Sequence, residues 1–223
     1  MSAKLPRTLP WVLVGLFLFT ALAVYLRFID GGPFGIDSWW YNTAEVSRGS
    51  GVYAVAVFMA QIGGGVGSVA CTAVAVALLL VMRRPRDAAA LATAMILGIA
   101  GSELTKHLVL RPRPWDQLYD SSGSSFPSGH TMGAAALAIS LVLMVAGSES
   151  MSKSLSRGVW VIAVVWVITM AWSRTALHVH WLSDTLAGAL LGVCAAIIAR
   201  RIWFRQEQRE NSAASITNVR PTA

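Results

Sequence analysis

Long apolar runs alternate along this chain with short polar connections. Six runs stand out, at roughly 10–27, 64–82, 87–105, 129–147, 158–175 and 182–200. Apolar runs of about 18 residues or more are long enough to cross a bilayer as helices, and a helix satisfies its own backbone polar groups there. The pattern predicts an all-α fold, a polytopic membrane bundle of six transmembrane helices filling residues 1–204. Residues 205–223 are polar and aperiodic, which predicts a disordered tail. The first run, Trp11 to Leu26, follows a basic start but ends in Tyr25 and Arg27 with no small-residue cleavage site, so it reads as an uncleaved span.

The segment 28–63 fits the pattern less well. Gly31-Gly32-Pro33-Phe34-Gly35 opens it as a turn, and Asp37 to Arg48 reads as an amphipathic interfacial helix with Trp39, Trp40 and Tyr41 as belt residues. The stretch 51–62 is apolar but too short to span, so it either dips into the interface or extends the second span. Gly63, Gly64, Gly65 and Gly67 allow close helix approach, or else a substrate contact.

Composition strengthens the membrane reading. Of 223 residues, 55% are hydrophobic and only 13% charged, with mean hydropathy +0.59. A soluble domain carries about 25% charged residues, so this chain lacks the charge to cover a soluble surface. The net charge of +7 does not indicate nucleic acid, because the basic residues form short clusters between apolar runs and no basic domain. Cys71 and Cys194 lie inside apolar runs and read as small buried hydrophobes, with no zinc spacing or disulfide framework.

Six spans put both termini on one side, and basic residues decide which. Twelve Lys and Arg fall on the side of the termini, among them Lys4, Arg7, Arg83, Arg84, Arg86 and Lys153, against six on the other. The bias of Lys and Arg toward the cytoplasm places both termini inside and the connections around 28–63, 106–128 and 174–181 outside. A compact, Ala-rich chain with short loops suggests a bacterial plasma membrane.

Three outer segments concentrate ionisable residues, which are costly at span ends and mark a functional site by default. Lys106 to Arg113-Pro114 combines a point charge with planar forks, a set suited to gripping phosphate, although such residues also snorkel to headgroups. Phe126-Pro127-Ser128-Gly129-His130 precedes an apolar run, where Ser128 can cap a helix whose free N–H groups bind anions. Ser173-Arg174 leads to His180 and Asp184, which share a helix face if the sixth span starts near His180. A carboxylate there orients the imidazole and leaves its other nitrogen free to act. Each segment alone is weak, and their placement on one side of the membrane is what points to catalysis.

Read together, Lys106-x6-Arg113-Pro114, Pro127-Ser128-Gly129-His130 and Ser173-Arg174-x5-His180-x3-Asp184 resemble the type-2 phosphatidic acid phosphatase superfamily, in order and without a departure. The likeness is secure over about 64–200 and loose before it. It implies a six-span bundle with its site near the outer surface, His180 as nucleophile forming a phosphohistidine, Asp184 as its orienting partner and His130 as general acid. It also implies Lys106, Arg113, Arg174, Ser128 and the Gly129 backbone as phosphate cradle, with no metal and no cofactor. Cations and helix N–H groups can stabilise a phosphoryl transition state without magnesium, and two histidines in different surroundings predict a bell-shaped pH profile.

The spacing of six selects Arg113 over Arg111, His107 and His178 read as boundary residues, and Asp116 and Asp120 as possible headgroup contacts. Short loops leave no soluble domain, so the expected partners are the bilayer and a lipid phosphate, with no protein partner implied. Undecaprenyl pyrophosphate is the first choice, ahead of phosphatidylglycerol phosphate and phosphatidic acid. The alternatives are a lipid phosphotransferase using the same phosphohistidine, an inactive lipid-binding protein, and a metal site of His178, His180 and Asp184. The last is disfavoured because helix positions two apart do not converge.

Overall fold

In the computed structural model, residues 8–146 and 152–217 are described, with side chains as far as residue 204. Lys4, Arg7 and Arg220, which contribute to the charge bias, lie outside them. The described residues form eight helices: α1 (Leu9–Phe28), α2 (Gly35–Thr43), α3 (Gly51–Gly63), α4 (Gly65–Val81), α5 (Pro85–Val109), α6 (Gly129–Ala146), α7 (Lys153–Ala176) and α8 (Leu182–Thr217). No strand occurs among them. Five helices among the described residues are long and apolar enough to cross a membrane; α3 and α4 reach that length only when taken together across a 62° bend, which makes five or six spans. Apolar side chains such as Trp11, Phe17, Val74 and Ile162 face outward, as lipid contact requires.

Local chemistry sets the boundaries. Proline stands in the first turn of α1 and α5, where its missing N–H costs nothing. Ser50 and Ser152 cap α3 and α7, accepting from Tyr53 N at 3.1 Å and Leu155 N at 3.2 Å. The break at Gly64 sets the apolar stretch 51–62 apart as a helix of its own, bent by 62° from α4. A Cβ on Gly67 would lie 2.3 Å from the Ile62 carbonyl oxygen, so the bend needs glycine there. At the far end α8 continues past Phe204 to Thr217. Residues 205–210, Arg-Gln-Glu-Gln-Arg-Glu, are strong helix formers and carry the last span beyond its apolar part.

Two of the helices in the bundle differ sharply in burial. The apolar part of α8 is 61% buried and that of α7 only 11%, so α8 is the axis and α7 a peripheral, lipid-facing helix. The tightest seam is α6 on α8. Cβ atoms on Gly188 and Gly192 would lie 2.4 Å from the Ser128 carbonyl oxygen and 2.3 Å from that of Met132, so the backbones touch. Phe19, Phe126, Met132, Ala136 and Leu191 pack alongside this seam. Cys194 is buried and Cys71 half-buried, and both are free thiols. The seam matters for function because it starts at Ser128 and the first turn of α8, where two of the three ionisable segments meet.

Candidate active site

Each of the three segments sits at the same end of the bundle. Lys106 lies in the last turn of α5, Ser128 to His130 open α6, Arg174 closes α7, and His180 and Asp184 flank the start of α8. Leu110, in the left-handed region, ends α5 and turns the chain into the 110–128 connection. That connection is pinned on both sides: Leu118 N donates to the Leu177 carbonyl at 3.0 Å, and Ser128 N to that of Asp184 at 3.0 Å.

His180 is the centre of the arrangement. It sits in the turn before α8, buried, with its N–H donating to the Arg174 carbonyl at 3.3 Å. Its Nδ1 lies 2.7 Å from the Ser125 carbonyl oxygen and 3.7 Å from Asp184 Oδ2. The nearer acceptor is thus a backbone carbonyl, with the carboxylate behind it. Nδ1 carries the proton, and Nε2 presents its lone pair toward Arg113 Nη1 at 3.3 Å. Burial holds the His180 pKa down at about 4; Asp184 acts against that shift and the Arg113 charge adds to it. The ring is neutral at physiological pH, which is the state a nucleophile needs.

Arg113 is aimed by carbonyls. It donates to Val179 O at 2.6 Å, Ser122 O at 2.9 Å and Gly123 O at 3.1 Å. Burial lowers its pKa, with Asp184 opposing. Arg174 is 1% exposed, over the Tyr119 ring at 5.7 Å, with Nη2 3.4 Å from Ser121 Oγ. Its Nε and Nη1 have no hydrogen-bond partner in the protein. Buried donors without partners are costly and rare, and a guanidinium in that condition is suited to an anion.

Lys106 pairs with Glu103 at 2.6 Å, and its Nζ lies 3.5 Å from where a Gly129 Cβ would be. Ser128 is buried at the head of α6, its Oγ 3.1 Å from Thr131 Oγ1. His130 is half-buried, Nε2 3.1 Å from the Ala60 carbonyl oxygen. The break between α3 and α4 therefore abuts His130, and a Gly63 Cβ would lie 3.3 Å from its ring. A small apolar cavity lined by Gly63, Met95, Gly133, Trp166 and Met170 lies beside this point. On the polar side, Arg48, Gln117, Tyr119, Asp120 and Ser121 line an open cavity of about 480 Å³.

Two residues outside the candidate set, Arg111 and His178, are buried beside the site. Arg111, set apart from Arg113 by spacing alone, is wholly buried and bonded to Asp184 Oδ1 at 2.6 Å and Asp37 Oδ2 at 2.9 Å. His178 is no boundary residue: it is 2% exposed, in the left-handed region, with its ring stacked on Tyr41 at 4.1 Å and Nδ1 3.3 Å from Asp116. Asp116 also accepts a short hydrogen bond from Tyr41, and burial with that carboxylate raises the Tyr41 pKa. His107, by contrast, is exposed. Sequence signals for Asp37, Ser102 and the Ser125 carbonyl were lacking. Ser102 is a buried hydroxyl without a partner, one turn from Lys106 and 3.7 Å from the Gly129 Cβ position. Among the described residues no group of three His, Cys, Asp or Glu could hold a metal ion.

Comparison with known proteins bears on the family and the fold. The chain is 23% identical over 201 residues to a protein named undecaprenyl-diphosphatase from Sulfolobus acidocaldarius, covering 86% of this chain and 90% of that one. Its fold is similar to a transmembrane PAP2-type phosphatidylglycerolphosphate phosphatase from Bacillus subtilis, at TM-score 0.74 and 22% identity over 86% of this chain and 94% of that one. It is also similar to Aquifex aeolicus LpxE, at TM-score 0.61 and 21% identity over 74% and 95%. The PAP2 superfamily model matches residues 87–208, more than half the chain and all three ionisable segments, so this protein belongs to the PAP2 superfamily.

Proposed function

We propose that this protein is a metal-independent lipid phosphatase working through a phosphohistidine on His180. The observation that carries the reading is the pair of unpartnered, buried Arg174 donors next to a neutral His180 whose Nε2 faces Arg113. Arg113, Arg174, Lys106, Ser128 and the Gly129 N–H bind the phosphoryl oxygens. The Nε2 lone pair attacks phosphorus, the bond from phosphorus to the lipid oxygen breaks, and His130 gives that oxygen its proton. Water then attacks the phosphohistidine and passes a proton to His130, and the P–N pair of electrons returns to His180. Charge on the equatorial oxygens is met throughout by donors already in place.

A lipid substrate is favoured because His130 lies beside the apolar α3–α4 break, while the polar cavity opens on the Arg174 side. The leaving lipid faces the bilayer and the released phosphate faces water. The bias of Lys and Arg supports cytoplasmic termini and an outward-facing site. Undecaprenyl pyrophosphate is the first lipid to test, with phosphatidylglycerol phosphate and phosphatidic acid beside it, because the likeness to the Sulfolobus protein covers 86% of this chain and 90% of that one.

The test is phosphate release by the purified protein in detergent with EDTA on these three lipids. The expected result is release from one of them, falling at least about a thousandfold in His180→Ala. Release that EDTA abolishes, or that survives His180→Ala, overturns the mechanism. Phosphate that appears only with an added acceptor lipid makes the protein a phosphotransferase.

A further inference from the structure

Asp37 belongs to α2, 50 residues before the stretch matched by the family model. It is nonetheless 1% exposed and saturated with donors. Oδ1 accepts from Ser183 N at 2.8 Å. Oδ2 accepts from Ser183 Oγ at 2.7 Å, Arg111 Nη2 at 2.9 Å and Phe34 N at 3.1 Å. Arg111 has partners on every side: Gly31 O at 3.4 Å, Gly32 O at 2.9 Å, Ser183 Oγ at 2.8 Å, and the two carboxylates. Asp184 is held in turn by Arg111 on Oδ1 and by Trp181 N at 2.8 Å on Oδ2, the oxygen that faces His180. The side chains of Asp37, Arg111 and Asp184 are all 0% exposed.

The charges in this cluster do not cancel. One guanidinium between two carboxylates leaves a net charge of minus one, enclosed in a region of low dielectric. Arg111 with Asp184 alone would be neutral and would draw the carboxylate's charge away from the imidazole. When Nε2 bonds to phosphorus and Nδ1 keeps its proton, the His180 ring becomes cationic. The excess negative charge then meets that new positive charge at the place where it develops.

We propose that Asp37 is a positioning residue for the nucleophile: acting through Arg111, it leaves Asp184 with uncancelled negative charge toward His180. This rests on His180 being the nucleophile, as proposed above. The charged and titratable groups facing His180 are Asp184 from α8, Arg113 from the 110–128 connection, and Arg174 and His130 from α7 and α6. Of these only Asp184 is anionic, so changing how far it is cancelled moves the balance directly.

The experiment is a charge cycle read as the acid limb of the kcat profile in detergent, with thermal unfolding recorded for each variant. Asp37→Asn brings the cluster to zero and should lower kcat about 10- to 100-fold, leave KM within about twofold and move the acid limb down by about one pH unit. Arg111→Met brings it to minus two and should move the limb up by a similar amount. The double variant restores minus one and should return the limb to its wild-type position, with kcat above that of Asp37→Asn. A merely structural role predicts unmoved limbs and a double variant no better than the worse single one, and that result overturns the proposal. If Asp37→Asn does not fold, Arg111→Met against Arg111→Lys decides: only the former should shift the limb, and equal limbs refute the idea. A wild-type protein forming no phosphohistidine would instead refute the underlying mechanism.

Discussion

Arg174→Met should have opposite effects on stability and on activity. In the free protein Arg174 is buried, with Nε and Nη1 unpartnered. A buried donor without a protein acceptor costs up to about 1–3 kcal/mol, so removing both returns at most roughly 6 kcal/mol. Against this stand the long Ser121 hydrogen bond at 3.4 Å, worth about 0.5–1 kcal/mol, and the Tyr119 ring contact, worth about 1 kcal/mol. Methionine refills most of the volume. The variant should therefore be as stable as the parent or more stable by up to about 4 kcal/mol, a rise of at most about 15 °C in Tm. Activity should fall steeply, because one preorganised donor to a developing oxyanion contributes about a hundred- to a thousandfold. Orthovanadate, a phosphate mimic, should raise the Tm of the parent and leave that of the variant unchanged. Thermal unfolding in detergent with and without vanadate, beside phosphate release, measures all three quantities. A variant destabilised by more than about 2 kcal/mol, or one keeping a tenth of the parent rate, would show that Arg174 is a structural cation and refute the reasoning.

Two further outcomes follow from the geometry. Because His180 must be neutral to attack and its pKa is held down at about 4, kcat/KM should lose activity only below about pH 5 with a midpoint near 4. The acid limb of the bell thus lies well under the ordinary histidine range, and a midpoint near 6.5 would contradict the burial of the ring. Gly188→Ala places a Cβ 2.4 Å from the Ser128 carbonyl oxygen, which no rotamer relieves. It should push α8 from the head of α6, lower kcat about a hundredfold with lipid KM little changed, and lower Tm. Gly101→Ala, whose Cβ would meet only Leu191 methyl carbons at 3.5 Å and 3.7 Å, should keep both near the parent values.

The apolar runs by themselves determined a great deal. The helical class, the span count to within one and the gathering of the ionisable segments at one end of the bundle follow from hydrophobicity and chain direction, because a bilayer leaves few ways to bury such runs. Positions 106, 113, 128–130, 174, 180 and 184 stood out as candidates because costly polar residues at span ends announce themselves against an apolar background. The distribution of work among them was not legible. Arg111 and Arg113 differ by two residues and carry the same group, yet one is enclosed between Asp37 and Asp184 and the other faces His180 Nε2. That division depends on where α2 docks, and α2 is an interfacial helix whose sequence reports only that it is amphipathic. Asp37 meets Ser183 across 146 positions of chain, and local pattern carries no information about such a meeting. The carbonyls of Ser125 and Ala60, which hold the two histidines, have no side-chain signature at all. His178 reads as a boundary residue because its neighbours are mixed, and its stacking on the Tyr41 ring belongs to the packed fold alone. Hydrophobic patterning is read one residue at a time and survives in the sequence, whereas hydrogen-bond partnership belongs to pairs and exists only once the helices have packed.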